Sequence, residues 1–488
     1  MQAIGTTVFV MTVLDRAAAG LDSGIRRPAA GLLVPGILAL AAAVVRLPFL
    51  NLPLSPDEGG YLLVASQWSS GSSTYGGYFV DRPPLLVGLF GVADELGGVI
   101  PLRLLGLLAV VAAILLAGRL GGWLPAAVAA TFLSTPLFDT MQVDGELLAV
   151  PFVIGGLLLL VISLRSTSTE AAYGASAVAG MLASCAALVK QNMLDVFVVA
   201  AVLLATLAIH GEWRSACRRT AAFGAGALST VAVAVAAAAV RGTGPAALWD
   251  AIVTFRAQAA AVIHSSANAA TPDRFHTLLI VLTITAVPVV IAAAIGGFRR
   301  PKTGPDLRWA AIALLAWELA GAALGGSYWL HYLLALVPGL VLLSTAARAT
   351  RALRWGLGIA AVSTALALVA FAQSPPGAGA DQAVSAYLRD HSRPADTVVV
   401  AFGHPNVVRD AGLTSPYEQL WSLPVRVRDP QLHELAGVLA GPEAPRWVVV
   451  DGGSLGTWGV DPAAAQTVLD QHYREVTADG DWHVFERD

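Results

Sequence analysis

Charged residues are scarce in this sequence. They make up 13% of the 488 residues, whereas 56% of the residues are hydrophobic. The net charge is only −3, and lysines and arginines are spread between apolar runs instead of forming one basic patch. Because nucleic-acid binding depends on such a patch, the composition argues against a nucleic-acid partner.

Cysteine is also rare, and the common catalytic motifs are missing. Cys185 lies within an apolar run and Cys217 lies beside arginines, so two cysteines form neither a disulfide framework nor a metal-ligand spacing. The sequence contains no H-E-x-x-H motif, Walker loop or C-x-x-C pair. Hydride-transfer and ATP-dependent chemistries therefore lose their usual signatures.

Long apolar runs occupy the first three quarters of the chain, and the mean hydropathy is +0.67. Because a transmembrane helix needs about 20 mostly apolar residues, we predict about eleven spans. They lie near residues 30–50, 99–118, 120–138, 146–164, 172–189, 193–210, 220–240, 277–297, 307–324, 332–347 and 355–373. The fold class predicted from the sequence is a polytopic α-helical membrane protein.

Lysines and arginines collect at alternate span ends, which indicates the orientation of the chain. The basic groups are Arg16, Arg26 and Arg27, then Arg119, Arg165, Arg214, Arg218 and Arg219, Arg299, Arg300 and Lys302, and finally Arg348, Arg351 and Arg354. Short cytoplasmic loops are enriched in such residues. We therefore expect residues 1–28 to form a cytoplasmic leader and the polar segments at the other span ends to face outside the cell membrane.

The composition changes after the last span. Residues 29–373 predict a transmembrane domain, residues 374–380 a linker, and residues 381–488 a soluble α/β domain. Helices are expected at 381–390, 431–439 and 462–472, and strands at 397–402, 446–450 and 483–486. An odd number of spans places this small domain outside the cytoplasm, on the same side as the segment 50–98.

The segment 50–98 interrupts the apolar chain with carboxylates, tyrosines and glycines. Asp57 and Glu58 follow a proline at the expected start of a short helix, and Tyr61 shares a helix face with Asp57. Arg82 precedes a Pro-Pro turn further along. A base, an aromatic wall and a cation would meet here beside the membrane. The alternative is an interfacial loop whose acids cap helices and whose tyrosines form an aromatic belt.

Carboxylates and a lysine also lie at the expected outer ends of spans. Charged groups close to the membrane are costly and often functional. Asp144 and Glu146 open the fourth span, where they either position a sugar or cap a helix. Lys190 lies between two spans, where it either neutralises a phosphate or extends its amine to the interface.

Arginines and aromatic residues complete the set of candidates. Arg256 and Arg274 lie in the expected outer loop 242–276, beside an apolar, helix-like stretch. They either bind a phosphate or belong to a solvated face. His331 and Tyr332 open the tenth span, where they either contact a polar headgroup or belong to an aromatic belt.

The outer segment resembles the first outer loop of the GT-C membrane glycosyltransferases, which include protein O-mannosyltransferases and lipid A aminoarabinose transferases. The resemblance rests on the Asp-Glu pair at 57–58 with Tyr61, and on Arg-Pro-Pro-Leu at 82–85. Asp-Gly-Glu at 144–146, Leu-Val-Lys-Gln at 188–191 and His-Tyr-Leu-Leu at 331–334 look similar to that superfamily too. Arg82 stands where aminoarabinose transferases have lysine, and glycines at 59 and 60 replace bulkier residues.

The resemblance implies a donor sugar carried on a polyprenyl phosphate. The expected outer position of the polar groups agrees, because nucleotide sugars are cytoplasmic. Asp57 would then be the general base, Tyr61 and Arg82 would contact the lipid phosphate, and transfer would invert the anomeric carbon. The other candidates named above would contact the donor or the acceptor.

The acceptor and the cofactor stay open at the level of sequence. A glycan, a lipid or a protein would each serve as acceptor, and membrane lipids surround the spans. No cofactor is assigned and no metal site is named, but a divalent cation is not excluded. A multi-pass lipid or sugar transporter is the alternative function, although transporters tend to carry internal repeats and charges at the membrane midplane.

Overall fold

The structure, a computed structural model, describes residues 30–265, 270–300, 304–375 and 379–488. The leader expected at residues 1–28 lies outside these ranges, and so does part of the linker expected at 374–380. The helices before the linker are α1 (Ala30–Arg46), α2 (Pro56–Ser66), α3 (Pro84–Glu95), α4 (Val99–Gly121), α5 (Trp123–Ser134), α6 (Gly145–Arg165), α7 (Thr169–Val189), α8 (Asp195–Leu207), α9 (Trp213–Val240), α10 (Pro245–Ser265), α11 (Ala270–Ile284), α12 (Val287–Gly296), α13 (Arg308–Leu324), α14 (Leu330–Ala346) and α15 (Arg351–Gln373).

Helices occur at every position where the sequence predicts a span, which confirms the polytopic helical class. By length and composition alone, seven described helical stretches are long and apolar enough to cross a membrane, or eight when the bent pair α11 and α12 counts as one span. The bend between α11 and α12 is 52°. The apolar helices α5 and α14 are shorter than this criterion requires. The count of eleven therefore stays a prediction.

α8 and α9 form a hairpin and not one long helix. A continuous helix would separate Phe197 from Phe223 by about 39 Å, yet their ring centroids lie 5.4 Å apart. The chain reverses near Gly211, whose φ of 92° suits glycine. The stretch Asp195–Val240 therefore supplies two antiparallel helices, which match the two segments expected at 193–210 and 220–240.

α10 occupies much of the segment that the sequence predicts as an outer loop. Its composition alone would allow it to cross a membrane. However, Asp250 and Arg256 near its middle form ion pairs with Arg428 and Asp81, at 2.5 and 2.6 Å. A crossing helix would carry these charges into hydrocarbon. The ion pairs therefore place α10 along the surface that carries Asp81. The stretch is helical because it is rich in alanine, which favours helix.

The two ends of the helical bundle differ in charge. Arg119 and Arg165 lie in the last turns of α4 and α6. At the other end of the same two helices, Arg103 pairs with Glu58 and Glu146 pairs with a lysine. The arginines that mark the cytoplasmic side in the sequence thus lie at the helix ends remote from Glu58.

The C-terminal segment forms a small α/β unit, as the sequence predicts. Its elements are helices α16 (Ala380–His391), α17 (Pro405–Asp410), α18 (Ser422–Arg428), α19 (His433–Ala440) and α20 (Ala463–His472), and strands β1 (Val398–Ala401), β2 (Trp447–Asp451), β3 (Tyr473–Asp479) and β4 (Trp482–Arg487). The strand order is β1-β2-β4-β3, with β1 and β2 parallel and the other pairs antiparallel. Leu435 and Leu469 pack with Val399 and Val450 in its core.

Three of these elements are absent from the prediction made on the sequence. β3 is an edge strand that pairs only with β4, and most of its side chains are exposed. It therefore lacks the apolar alternation that identifies a strand. α17 and α18 have only 6 and 7 residues, which is too short for a helical period to be visible.

A buried ion pair fixes α2 against the bundle. Glu58 Oε1 lies 2.8 Å from Arg103 Nη1 on α4 and accepts the Val143 N–H at 2.7 Å. Arg103 also donates to the carbonyls of Pro53 and Met141, at 3.1 and 2.5 Å. Two side chains thus join α2, α4 and the segment that leads into α6.

Loss of the cation in this pair should destabilise the protein. In Arg103→Ala, Glu58 keeps a buried carboxylate without its partner, which costs about 3–5 kcal/mol of unfolding free energy. Adding Glu58→Gln should recover part of the loss. Arg119→Ala removes an exposed arginine from the same helix and is the control. Thermal unfolding in detergent measures each variant, and equal midpoints for the two arginine variants would contradict this role.

Candidate active site

A capping box at the start of α2 directs Asp57 away from the buried core. Ser55 Oγ accepts the Glu58 N–H at 3.3 Å, and Glu58 Oε2 accepts the Ser55 N–H at 3.0 Å. The Ser-x-x-Glu pattern is the sequence signature of this cap. Asp57 is about 100° away from Glu58 around the helix and is half-buried. One carboxylate thus serves the fold and its neighbour faces the site.

Neutral donors hold the Asp57 carboxylate. Tyr61 donates its hydroxyl to Oδ2 at 3.3 Å, the contact expected for residues four apart on a helix. Trp421 donates its indole N–H to Oδ1 at 2.9 Å. The Arg82 Nε–H donates to the Tyr61 oxygen at 2.9 Å. Burial raises the pKa of Tyr61 well above its usual range, so the phenol stays protonated between the guanidinium and the carboxylate.

Asp81 joins two arginines beside this carboxylate. Its Oδ1 lies 2.5 Å from Arg82 Nη1, and its Oδ2 lies 2.6 Å from Arg256 Nη1. Gln191 donates to the Asp81 carbonyl at 2.6 Å. Burial alone would raise the pKa of Asp81, but the two arginines hold it below its usual range. Guanidiniums from two distant segments are therefore ordered around one anion.

Lys190 and Glu146 form a second ion pair in the site. Lys190 Nζ lies 2.9 Å from Glu146 Oε1, and the two side chains are 12% and 1% exposed. Lys190 follows the end of α7, and Glu146 lies in the first turn of α6. The Tyr332 ring centroid is 6.0 Å from Lys190 Nζ, and the His331 and Tyr332 rings are 5.0 Å apart.

Most of the residues named from the sequence lie in one group, which we call the outer cluster. Glu146 interacts electrostatically with Arg82 and His331, and His331 also interacts with Asp57, so the two ion pairs belong to one electrostatic group. The outer cluster consists of Asp57, Tyr61, Asp81, Arg82, Glu146, Lys190, Arg256, His331 and Tyr332.

Three other candidates border the outer cluster, since Glu58 is next to Asp57, Asp144 interacts electrostatically with Glu146, and Arg274 interacts with Tyr332. Glu58 forms the buried pair described above. Asp144 caps α6, because its Oδ1 accepts the Leu147 N–H at 2.8 Å. The Arg274 guanidinium lies 4.4 Å from the Trp329 ring centroid. Contacts of these three residues with a donor or an acceptor stay predictions.

Two residues of the site were not chosen from the sequence. Asp81 directly precedes Arg82, and this pair of opposite charges before the Pro-Pro turn was the sequence signal that could have identified it. Trp421 reaches Asp57 from 364 positions away in the chain, and nothing in its neighbourhood marks it. Within the described ranges, no three His, Cys, Asp or Glu side chains are arranged to hold a metal ion.

Comparisons with known proteins identify the fold. No protein-family model matches the chain, and no curated protein matches it either. The structure of ArnT from Cupriavidus metallidurans bound to undecaprenyl phosphate is 14% identical with a TM-score of 0.62, over 94% of this chain and 98% of that one. The oligosaccharyltransferase of Archaeoglobus fulgidus in the apo form is 12% identical with a TM-score of 0.55, over 90% and 72% of the two chains. The chain therefore shares its fold with these two proteins, which supports the resemblance to the GT-C glycosyltransferases seen in its motifs.

Removal of the lysine from the second ion pair should destabilise the protein more than removal of both partners. Lys190→Met leaves Glu146 buried without its cation, at a cost of about 3–5 kcal/mol. Glu146→Gln in the same chain should restore much of the stability. Thermal unfolding midpoints in detergent measure both variants. A double variant less stable than Lys190→Met would show that the pair is not coupled as described.

Proposed function

We propose that this membrane protein with the GT-C fold is a glycosyltransferase that moves a sugar from a polyprenyl-phosphate donor to an acceptor outside the cytoplasm. The acceptor hydroxyl attacks the anomeric carbon, and the bond from that carbon to the phosphate oxygen breaks. Asp57 takes the hydroxyl proton as the general base. Polyprenyl phosphate leaves, and a single displacement inverts the anomeric carbon. A glycan, a lipid or a protein would supply the hydroxyl.

The observation that carries this proposal is the setting of Asp57. Its carboxylate is half-buried and receives an O–H from Tyr61 and an N–H from Trp421. Each of its oxygens keeps a lone pair for an acceptor proton, since each accepts one described hydrogen bond. Arg82 donates a hydrogen bond to the oxygen of the same Tyr61 hydroxyl. A base and a cation thus lie on the two sides of the Tyr61 hydroxyl, close to where bond breaking would place opposite charges.

The cations of the outer cluster suit a phosphate leaving group. Arg82 and Arg256 present guanidiniums, each of which can bind two phosphate oxygens at once. Lys190 adds a point charge. A phosphate needs little protonation to leave, so one carboxylate suffices for the reaction. The structurally similar ArnT was solved with undecaprenyl phosphate, which supports this donor class for the present chain.

The charges at the two ends of the bundle support the proposed orientation. Arg119 and Arg165 lie at the ends of α4 and α6 that are remote from the outer cluster. Because such residues favour the cytoplasm, the outer cluster and the C-terminal domain would face outside the cell membrane. A lipid-carried sugar fits this location, since nucleotide sugars remain in the cytoplasm.

Substitutions of the two adjacent carboxylates should have different effects. Asp57→Asn keeps the size of the side chain but removes the proton acceptor, so turnover should fall by about 10²–10⁴ with an unchanged unfolding midpoint. Glu58→Gln should lower the unfolding midpoint and reduce turnover less. The assay incubates purified protein with a panel of polyprenyl-phosphate sugars and measures released lipid phosphate. Normal turnover in Asp57→Asn would require another base, and no release by the wild type would overturn the proposed function.

Removal of the Arg82 guanidinium should weaken donor binding. A phosphate at a low-dielectric surface would lose a charge-assisted partner worth about 1.5–3 kcal/mol in Arg82→Ala. Arg82→Lys should recover part of the affinity, because it keeps the charge without the fork. Equilibrium binding of the donor lipid measures both variants. Equal donor affinity in Arg82→Ala and the wild type would remove Arg82 from the phosphate site and direct attention to Lys190 and Arg256.

A further inference from the structure

The C-terminal domain reaches into the outer cluster at one point. Trp421, at the start of α18, donates its indole N–H to Asp57 Oδ1 at 2.9 Å. Its ring also lies over Tyr61, with the centroids 5.4 Å apart and the planes tilted by 34°. One side chain of the domain thus contacts both the carboxylate and the phenol that holds its other oxygen.

Two glycines on α2 make this approach possible. A Cβ at Gly60 would lie 2.6 Å from Pro405 Cγ and 2.8 Å from Trp421 Cη2, and a Cβ at Gly59 would lie 2.7 Å from Asn406 Cβ. A glycine inside a helix costs about 1 kcal/mol relative to alanine. The two glycines that replace bulkier residues of the resembled pattern are thus positions against which the C-terminal domain packs.

Polar contacts fix the segment that precedes Trp421. The Phe79 N–H donates to the Glu418 carbonyl at 3.2 Å, and Ser73 Oγ donates to the Glu418 carboxylate at 2.7 Å. The Ser415 N–H donates to the Tyr78 hydroxyl oxygen at 2.9 Å. These hydrogen bonds attach the chain from Ser415 to Trp421 to the segment 73–79, and they thereby restrict the position of the Trp421 indole.

We propose that Trp421 is a positioning residue for the Asp57 carboxylate, so that the site is complete only when the C-terminal domain is docked on α2. This inference rests on the proposed function. The indole N–H holds one carboxylate oxygen and fixes the side-chain rotamer. The remaining lone pair on each oxygen is then held in a fixed orientation for an acceptor hydroxyl. In this account, the C-terminal domain contributes one side chain to the active site and also covers it.

The test separates positioning from binding by steady-state kinetics. Trp421→Phe keeps an aromatic ring on Tyr61 but removes the N–H. We expect kcat to fall about 10-fold, the effect of one lost charge-assisted hydrogen bond, with donor KM unchanged. Trp309→Phe is the control, because Trp309 is 66% exposed at the first turn of α13. It should leave both constants at wild-type values.

A second variant disturbs the same hydrogen bond from α2, the helix that carries Asp57. Gly60→Ala should displace the indole and lower kcat to a similar extent, whereas Gly88→Ala has open space around the new methyl group and should have no effect. Both changes remove the same hydrogen bond between Trp421 and Asp57. The double variant Gly60→Ala with Trp421→Phe should therefore be no slower than the slower single variant. Additive losses would contradict the inference.

The outcomes distinguish this inference from the function on which it rests. If the wild type transfers sugar and Trp421→Phe keeps the wild-type kcat, the positioning role is wrong and the proposed function stands. If Trp421→Phe raises donor KM at constant kcat, Trp421 is a donor contact and the positioning role is again wrong. If the wild type releases no lipid phosphate from any donor, the proposed function fails and the inference fails with it.

Discussion

The buried pair of Glu58 and Arg103 is the interaction on which the site depends. It buries two charged side chains, which are 3% and 1% exposed, where each would be costly without the other. Its hydrogen bonds reach the segment before α2 and the segment before α6. With α2 fixed in this way, the helical period directs Asp57 about 100° away from Glu58 around the helix. The geometry of the candidate base thus follows from the buried ion pair of its neighbour.

A second constraint is that the cations of the site are paired before any ligand binds. Asp81 holds Arg82 and Arg256, and Glu146 holds Lys190. Such pairing orders long side chains whose free rotation would otherwise oppose binding. The carboxylates also reduce the cost of three positive charges beside a membrane. A lipid phosphate that approached this group would meet donors already in place, which is the arrangement that favours charge development in a transition state.

The sequence predicted the parts of this structure that have strong periodic or local signals. The long apolar helices, the small sheet domain and the contact of Tyr61 with Asp57 each follow from spacing. Sequence reasoning assigned Glu58 a binding role, which stays a prediction, and gave helix capping by the acids as the alternative, which the capping box at Ser55 shows for Glu58. It could not find Trp421, because that contact joins distant parts of the chain and depends on how the domain docks. The edge strand β3 was missed since its exposed side chains give no alternation.

The most direct test of the account is the stereochemistry of a single turnover. Purified protein in excess over one polyprenyl-phosphate sugar would be mixed with acceptor, and the product sugar would be analysed by NMR. A reaction with Asp57 as the only carboxylate at the anomeric carbon predicts one lipid phosphate released per sugar transferred, with inverted anomeric configuration. A product that retained the donor's configuration would contradict it, because retention needs a second displacement and a nucleophile that this account does not contain.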